Sequence, residues 1–337
     1  MIYLDHAATT PLRKEAFNVM LPYFAEHAAN ANALYAEGRK ARSAIDQARG
    51  QIADAIHAKS SEIYFTGGGS ESDNWALFGV MRALEGKNHI ITTQIEHHAI
   101  LNACAALESL GYDVTYVPVD QWGRVSPQDI EKAIRPETGL VSVMAANNEV
   151  GTIQPIAEIA RIAHAHGVLM HTDAVQAVGH IPIDVAALNV DLLSMAAHKF
   201  YGPKGIGALI VKKGVRLIPR QIGGGQESGL RSGTEATGQI AGFAKAVELR
   251  ADHLDEKLAH VATIKAYAEE KLLALDGVVR IAGKVLAPAV RNAVVLHAEA
   301  RTTAAHQARL ESFRLIVAHS IGIVPVALLH RHGGHCS

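Results

Sequence analysis

The amino-acid sequence predicts an α/β protein with a mainly parallel sheet and flanking helices, followed by a smaller second domain. Between residues 63 and 211, short apolar segments rich in β-forming residues alternate with segments of helix length. Strands joined by helices pair in parallel, and both faces of their sheet are buried. The chain has 337 residues and is 49% hydrophobic, which suffices for one large domain and a smaller one.

Seven strands and four helices follow from this alternation. The strands are predicted over residues 63–66, 89–95, 113–117, 140–145, 168–172, 192–195 and 206–211. The helices are predicted over residues 70–84, 99–110, 127–134 and 155–166. The third helix has the clearest start, because the Ser126 hydroxyl can cap it and Pro127 suits its first turn.

The pattern changes near Gly238. Residues 244–275 form a long, charged helical stretch, and no strand signal follows until Val278. We therefore expect a large domain over residues 1–245 and a small C-terminal domain over residues 246–337.

The charge balance argues against a polyanionic partner. The chain has 32 Lys and Arg residues against 33 Asp and Glu residues, and its formal net charge is -1. No overall field attracts nucleic acid or an anionic membrane. A small-molecule substrate is the better expectation.

Cysteine use and hydropathy predict a cytoplasmic protein. Cys104 and Cys336 are the two cysteines of the sequence, too few for a disulfide framework and typical of a reducing compartment. The start of the chain has no secretory signal pattern. The most apolar late stretch, residues 315–329, is interrupted by His319 and Ser320 and is shorter than the roughly 20 residues of a membrane span.

A glycine-rich turn follows the first predicted strand and opens a helix. It reads Gly67-Gly68-Gly69-Ser70. Glycines let backbone N–H groups approach an anion, and the helix N-terminus adds partial positive charge, so phosphate is the natural ligand. An ordinary tight turn between strand and helix is the alternative interpretation.

Two further candidates lie at the ends of predicted strands. Asp173 ends one strand, at the edge where open α/β sheets bind ligands, and could pair with a protonated ring nitrogen. Lys199 follows the next strand beside His198, a position that favours a reactive amine of lowered pKa. The alternatives are a helix-capping aspartate and a solvated surface lysine.

Seven motifs occur in order from residue 1 to about residue 245. They are Tyr3-Leu4-Asp5-His6-Ala7-Ala8-Thr9-Thr10-Pro11, Gly69-Ser70-Glu71-Ser72-Asp73-Asn74, Glu96-His97-His98, Asn147-Asn148-Glu149-Val150-Gly151, Asp173-Ala174-Val175-Gln176, His198-Lys199 and Gly223-Gly224-Gly225-Gln226-Glu227-Ser228-Gly229-Leu230-Arg231-Ser232-Gly233-Thr234. Together they resemble the motifs of cysteine desulfurases in the class V aminotransferase superfamily. The resemblance implies a fold-type I pyridoxal-phosphate transferase with a mainly parallel seven-stranded sheet.

The resemblance also implies roles for individual residues. Lys199 would carry pyridoxal 5'-phosphate as a Schiff base and shuttle protons. Asp173 would hold the proton of the ring nitrogen, which makes the ring an electron sink. Gln176 would hydrogen-bond the ring hydroxyl, and His97 would stack on the ring and act as an acid or base. Asn148 would orient the substrate carboxylate and the cofactor.

The phosphate contacts implied by the resemblance come from two subunits. Gly69, Ser70 and His198 would hold the phosphate from one subunit, and Thr234 would reach it from the other. The catalytic unit would then be a homodimer. No metal ligand set is expected.

By the same resemblance, the enzyme removes sulfur from L-cysteine, leaves L-alanine and forms an enzyme persulfide. The persulfide would pass to a sulfur-acceptor protein, as in iron–sulfur cluster biogenesis. One alternative is a lyase for selenocysteine or cysteine sulfinate, for which a good leaving group lessens the need for a cysteine nucleophile. Another is a catalytically silent dimer partner or scaffold.

Two departures from the family pattern bear on activity. Ala196 stands three residues before Lys199, where the family usually places a serine, so one hydroxyl donor to the phosphate is missing. The loop cysteine that attacks the substrate sulfur is also not seen, since Cys104 has the helical spacing of a core residue and Cys336 lies one residue from the end.

The C-terminal segment diverges from the family and has an unusual composition. After Lys284 there is no Lys or Asp in 53 residues, while six histidines occur. This bias is atypical of a globular surface and indicates a truncated or frameshifted reading frame.

Overall fold

The computed structural model describes Tyr3, residues 5–275, and the backbone of two further short strands. All seven predicted strands form and build one sheet, which confirms the expected α/β fold. They are β1 (Ile63–Thr66), β2 (His89–Thr93), β3 (Asp113–Val117), β4 (Thr138–Ser142), β5 (Leu169–Asp173), β6 (Leu192–Ala196) and β7 (Gly207–Val211). The order is β1-β7-β6-β5-β4-β2-β3. Strand β7 runs antiparallel to β1 and β6, and the remaining neighbours pair in parallel.

The four predicted helices also form, with ends within three residues of those expected. The helices of the described chain are α1 (Lys14–Met20), α2 (Ala36–Ile56), α3 (Gly69–Met81), α4 (His98–Glu108), α5 (Pro127–Ala133), α6 (Ile156–Ala165), α7 (Val185–Leu188), α8 (Thr237–Asp252) and α9 (Leu254–Leu273). The Ser126 hydroxyl accepts a hydrogen bond from the Asp129 N–H and caps α5 as predicted. Strands β8 (Val278–Arg280) and β9 (Leu296–Ala298) pair separately.

Helices cover both faces of the sheet, which explains the continuous apolar runs in its strands. Ile91, Val141 and Leu193 point into one core, which α2, α6 and α8 close. Their chain neighbours Ile90, Leu140 and Leu192 point into the opposite core, against α3 and α4. Because side chains alternate across a strand, both sets must be apolar.

Helix α8 continues the packing of the sheet domain. Helix α8 packs against α1 and α2, and a side chain at Gly242 would meet the Met20 side chain at 2.6 Å. The close approach of these helices therefore requires glycine there. The predicted division at residue 245 stays a prediction, and the atypical segment beyond Lys284 lies outside the described residues, apart from the backbone of β9. No helix in the described part of the chain has the length and apolarity to span a bilayer.

The sheet brings the sequence motifs to one edge. Strands β2, β4, β5 and β6 run in parallel, so the loops after them leave at the same side. Strand β1 has the same direction, because it and β6 are both antiparallel to β7. Ligands of open α/β sheets bind at this carboxyl edge.

A buried ion pair holds the segment before α8 on the sheet. Arg49 of α2 donates two hydrogen bonds to the Glu227 carboxylate, at 2.9 and 2.7 Å, and the Phe65 N–H donates a third at 2.9 Å. The Glu227 side chain is only 2% exposed. Removing one partner of such a pair leaves the other charge buried and unpaired.

We therefore expect Glu227→Ala to lower the free energy of unfolding by about 3–5 kcal/mol, since Arg49 and the Phe65 N–H lose their acceptor. Urea unfolding measures this. The matched control is Lys132→Ala, which breaks an exposed ion pair with Asp129 and should cost less than about 1 kcal/mol. Equal losses in the two variants would contradict the role given to Glu227.

Candidate active site

Lys199 lies in the short 3-10 turn that follows β6, half-buried at the carboxyl edge of the sheet. Its Nζ donates hydrogen bonds to the carbonyl oxygens of Ala7 and Ala8, at 2.7 and 3.0 Å. Burial lowers the pKa of the amine, and the nearby carboxylates of Asp173 and Asp5 partly oppose that shift. A lysine in this environment deprotonates more readily than a surface lysine, as a nucleophilic amine must.

Asp173 ends β5 and is 4% exposed. Its Oδ1 accepts a hydrogen bond from the Val175 N–H at 2.9 Å, and in the described residues the other oxygen has no hydrogen-bond partner. Burial raises the pKa of this carboxyl to about 6, while the Val175 N–H and Lys199 lower it. Asp173 is therefore ionised at neutral pH and can hold a proton on a basic nitrogen.

The glycine-rich turn connects β1 to α3 and begins the helix without a side-chain cap. Gly68 has φ +149°, which L side chains rarely adopt, and a side chain at Gly69 would meet Val175 at 2.7 Å. The first-turn N–H groups of α3 are therefore available to an anion. Ser70, exposed in the same turn, adds a hydroxyl.

His97 caps the N-terminus of α4, where its Nδ1 accepts a hydrogen bond from the Ala99 N–H at 3.1 Å. Its proton then lies on Nε2. Burial lowers the pKa of His97, and Lys199 lowers it further, so the ring is neutral. His97 and Ser70 line the same cleft of about 450 Å³ between α3 and α4.

Gln176 and His198 both contact the N-terminal segment. Gln176 Nε2 donates to the Ala7 carbonyl oxygen at 3.0 Å, the same oxygen that accepts from Lys199. His198 Nδ1 lies 3.0 Å from the Thr9 hydroxyl. Burial lowers the pKa of His198 to about 4, with Lys199 and a second lysine adding to the effect, so this histidine is also neutral.

Asn148 sits half-buried in the turn after β4. Its neighbour Asn147 shapes that turn, since its Oδ1 accepts from the N–H groups of Glu149 and Val150 and its Nδ2 donates to the Ile95 carbonyl oxygen, each at 2.8 Å. The last bond ties the turn to the loop that carries His97.

Thr234 is exposed in the segment before α8. Its segment does touch the glycine-rich turn through Arg231, which donates two hydrogen bonds to Glu71 at 2.8 and 3.1 Å. Glu71 in turn accepts from the Gly67 N–H at 2.6 Å. The structure thus gathers eight of the nine candidates at one edge and leaves Thr234 beside it.

Sequence reasoning assigned no role to Glu96 or to the N-terminal loop. Glu96 is 5% exposed, and its carboxyl accepts from the Met144 N–H at 3.0 Å and from the Thr93 hydroxyl at 2.6 Å. Burial raises its pKa to about 8. Its motif, Glu96-His97-His98, was the available signal, but a charged residue beside an exposed histidine reads as surface until burial is known.

Cys104 has the core position that its spacing predicts. It is fully buried in α4 with Ile100 and Leu107. Burial raises the pKa of its thiol to about 12, so it holds no thiolate at neutral pH. Cys336 lies outside the described residues.

The sequence profile of the family Aminotransferase class-V matches residues 2–310. The chain belongs to this family. A cysteine desulfurase IscS from Dictyoglomus turgidum (strain DSM 6724 / Z-1310) is 51% identical over 267 residues, which cover 79% of this chain and 68% of that protein. A cysteine desulfurase IscS from Methanosarcina thermophila is 52% identical over 256 residues, which cover 76% and 63%. The chain therefore spans about two thirds of these relatives.

Two solved structures superpose well on the chain. A NifS-like protein superposes with a TM-score of 0.82 at 40% identity, over 85% of this chain and 80% of that one. The structure described as SspA in complex with cysteine gives a TM-score of 0.77 at 42% identity, over 86% and 82%. These likenesses confirm the family and the fold expected from the motifs.

The residues of the site fit pyridoxal phosphate. The uncapped start of α3 offers N–H groups to a phosphate, Asp173 offers a carboxylate oxygen to a ring nitrogen, and Lys199 offers an amine. The Ala196 side chain would lie 3.6 Å from a Cβ at Gly69, so it borders the start of α3. A hydroxyl at position 196 would therefore lie beside the N–H groups proposed for the phosphate.

Ala196→Ser should therefore tighten cofactor binding on the order of 10- to 100-fold, because one hydrogen bond to a charged group contributes about 1.5–3 kcal/mol. Fluorescence titration of the apoprotein with pyridoxal phosphate measures the dissociation constant. Ala187→Ser, on the exposed α7, is the control and should bind as the wild type does. If Ala196→Ser left the dissociation constant unchanged, the phosphate would bind away from residue 196.

The raised pKa of Glu96 makes the free energy of unfolding depend on pH. A carboxyl whose pKa is raised to about 8 by burial keeps a proton that the unfolded chain releases near pH 4.5. The contribution of this proton to the free energy of unfolding is fully present below pH 4.5 and is lost as the pH rises to 8. Relative to Glu96→Gln, the wild type should lose about 1.4 kcal/mol per pH unit across this window. Urea unfolding from pH 5 to 8 measures both slopes, and parallel slopes would contradict a protonated Glu96.

Proposed function

We propose that this chain is a pyridoxal-phosphate enzyme that removes sulfur from L-cysteine and leaves L-alanine. The observation that carries the proposal is one sheet edge that holds a half-buried amine, a buried carboxylate and an uncapped helix start. The names of the relatives, and the structural neighbour described as a complex with cysteine, support the substrate. They favour cysteine over selenocysteine or cysteine sulfinate.

Each site residue has a task that its surroundings support. When bound, pyridoxal phosphate supplies an electron-withdrawing ring that stabilises negative charge at the substrate α-carbon. Asp173, ionised at neutral pH, keeps the ring nitrogen protonated. Lys199, with its lowered pKa, holds the cofactor and moves protons. His97, neutral and protonated on Nε2, stacks on the ring and serves as an acid or base.

The remaining candidates bind the cofactor or orient the substrate. Gln176 donates to the ring hydroxyl and Asn148 orients the substrate carboxylate and the cofactor. Gly69, Ser70 and His198 hold the phosphate, and the neutral state of His198 makes it a hydrogen-bond donor rather than a charge.

We propose a homodimer in which Thr234 serves the site of the partner. Asn32 Nδ2 donates to Glu235 at 3.0 Å, so the loop before α2 lies beside the Thr234 segment. Large apolar side chains are exposed in these two segments, and a partner subunit would cover them. They are Phe24 at 56% exposure, Leu34 at 91%, Tyr35 at 56% and Ile222 at 89%.

The sulfur-transfer step needs a thiolate that Cys104 cannot supply. Its thiol is buried and its pKa is raised to about 12. We therefore propose that the 337-residue chain binds the cofactor but turns over cysteine slowly. The same proposal includes passage of sulfur to an acceptor protein, a place in iron–sulfur cluster biogenesis and a cytoplasmic location. If no cofactor binds, we propose instead that the chain is a catalytically silent dimer partner or scaffold.

The test is the visible absorbance of protein purified with pyridoxal phosphate, together with alanine release from cysteine. We expect a cofactor band in the wild type, no band in Lys199→Ala, and slow alanine release that Cys104→Ser leaves unchanged. Lys204→Ala, which removes a neighbouring exposed lysine, is the control and should keep the band.

Two results would count against this proposal. If the band persisted in Lys199→Ala, the Lys199 amine would not be the group that holds the cofactor. Fast alanine release that is unaffected by Cys336→Ser would show that the sulfur step does not need an accessible cysteine of this chain.

A further inference from the structure

The N-terminal loop, residues 5–13, lies against the turn that carries Lys199. Its Ala7 and Ala8 carbonyl oxygens accept the two hydrogen bonds from Lys199 Nζ. Helix α1 follows the loop directly and packs against α8. The proposed function assigns no task to this loop, although the loop supplies hydrogen-bond acceptors to the amine that holds the cofactor.

Thr10 joins the N-terminal loop to the turn by three hydrogen bonds. Its N–H and its hydroxyl both donate to the His198 carbonyl oxygen, at 2.9 and 2.8 Å. The same hydroxyl accepts from the Tyr201 N–H at 2.6 Å. Thr10 is 4% exposed. One buried hydroxyl therefore binds backbone groups on both sides of Lys199.

The turn needs this support because part of its backbone is strained. Tyr201 has φ +69°, in the left-handed region that residues with side chains rarely adopt. Such a conformation persists only where the surrounding structure fixes it. The Tyr201 N–H donates to Thr10, and the Tyr201 carbonyl oxygen accepts from the Arg13 N–H at 3.0 Å. Both polar backbone groups of the strained residue are thus bound by the N-terminal loop.

The loop after β5 fixes the other side of the turn. His180 Nε2 lies 2.9 Å from the Lys199 carbonyl oxygen, and because a carbonyl oxygen accepts, the ring nitrogen donates. A side chain at the neighbouring Gly179 would meet Phe200 at 2.7 Å, so this loop packs closely on the turn. These contacts do not involve Thr10. Loss of the Thr10 hydroxyl should therefore release only the side that faces the N-terminal loop.

The residues just before Thr10 bind the Lys199 side chain itself. The Ala7 and Ala8 carbonyl oxygens lie 2.7 and 3.0 Å from Nζ, and the Ala7 oxygen also accepts from Gln176 Nε2. With the loop anchored at Thr10, these acceptors fix the direction in which the amine points. A covalent step is fast when its reacting atoms are held close and aligned, so this direction affects the rate of attachment.

We propose that Thr10 is a positioning residue, whose hydroxyl holds the N-terminal loop on the turn and thereby orients the Lys199 amine. Its effect on the reaction rests on the proposed function, in which the amine nitrogen bonds to the aldehyde carbon of pyridoxal phosphate and water leaves. Its effect on the amine does not rest on that function and can be measured without the cofactor.

Amine labelling of the full chain without cofactor tests the placement of Lys199. Trinitrobenzenesulfonate, followed by mass spectrometry of the peptides, gives the labelling rate of each lysine. Thr10→Val keeps the shape of threonine and removes the hydroxyl. We expect it to raise the rate at Lys199 about 10-fold, because the released loop no longer binds the amine. The exposed Lys204 is the internal reference and should keep its rate.

Two further variants separate the hydroxyl from a general loss of packing. Thr10→Ser keeps the hydroxyl and should label at Lys199 at nearly the wild-type rate. Thr92→Val makes the same change at a buried threonine whose hydroxyl has no hydrogen-bond partner in the described residues, and should also leave the rate unchanged. An unchanged rate in Thr10→Val, or an equal rise in either of the other two variants, would overturn the proposal.

Amide hydrogen exchange of the wild type needs no variant. We expect the Tyr201 N–H to be protected, because the buried Thr10 hydroxyl accepts from it. Exchange at the rate of an unstructured peptide would overturn the proposal even if Thr10→Val did not fold.

The loaded protein tests the consequence for the cofactor. After mixing with pyridoxal phosphate, the rate constant for appearance of the visible band should fall about 10-fold in Thr10→Val and be nearly normal in Thr10→Ser. A loosened amine reacts faster with a free reagent but slower with a cofactor bound at a fixed place. A general loss of folded protein lowers the amplitude and leaves the rate constant unchanged.

The outcomes for the amine and for the cofactor are distinguishable. A normal rate constant in Thr10→Val would overturn the proposed effect of Thr10 on attachment. A wild type without any band would refute the proposed function, and the labelling and exchange results would still decide whether Thr10 positions the Lys199 amine.

Discussion

The site depends on the burial of ionisable groups at one edge of a parallel sheet. Each charge taken out of water there must be compensated, and Lys199 and Asp173 compensate each other. The same burial lowers the pKa of the amine and raises the pKa of the carboxyl, which brings both groups nearer to neutral pH. Such shifts are common where groups must exchange protons.

The sheet order creates this edge. Strand β7 returns antiparallel between β1 and β6, so that β1 ends beside the other parallel strands. The glycine-rich turn therefore opens next to the turn that carries Lys199, although about 130 residues separate them. A side chain at Gly207, the first residue of β7, would meet the Gly68 backbone at 2.8 Å, so the contact of β7 with the glycine-rich turn also requires glycine.

Much of the fold was predictable from the sequence, because strands buried on both faces form continuous apolar runs. Helices α1, α2 and the short α7 were missed. The buried face of α2 combines Ile45, Ile52 and Ile56 with small residues such as Ala41 and Ala48, so few large apolar residues mark it in the sequence. The candidate site was predictable where motifs marked it. The raised pKa of Glu96 depends on its burial, which the order of residues does not contain.

Covalent attachment of the cofactor is the central claim of this account. The most direct measurement is borohydride reduction of the protein loaded with pyridoxal phosphate, followed by mass spectrometry of its peptides. We expect the reduced pyridoxyl-phosphate group on the peptide that contains Lys199. Modification of another lysine, or of none, would contradict the account.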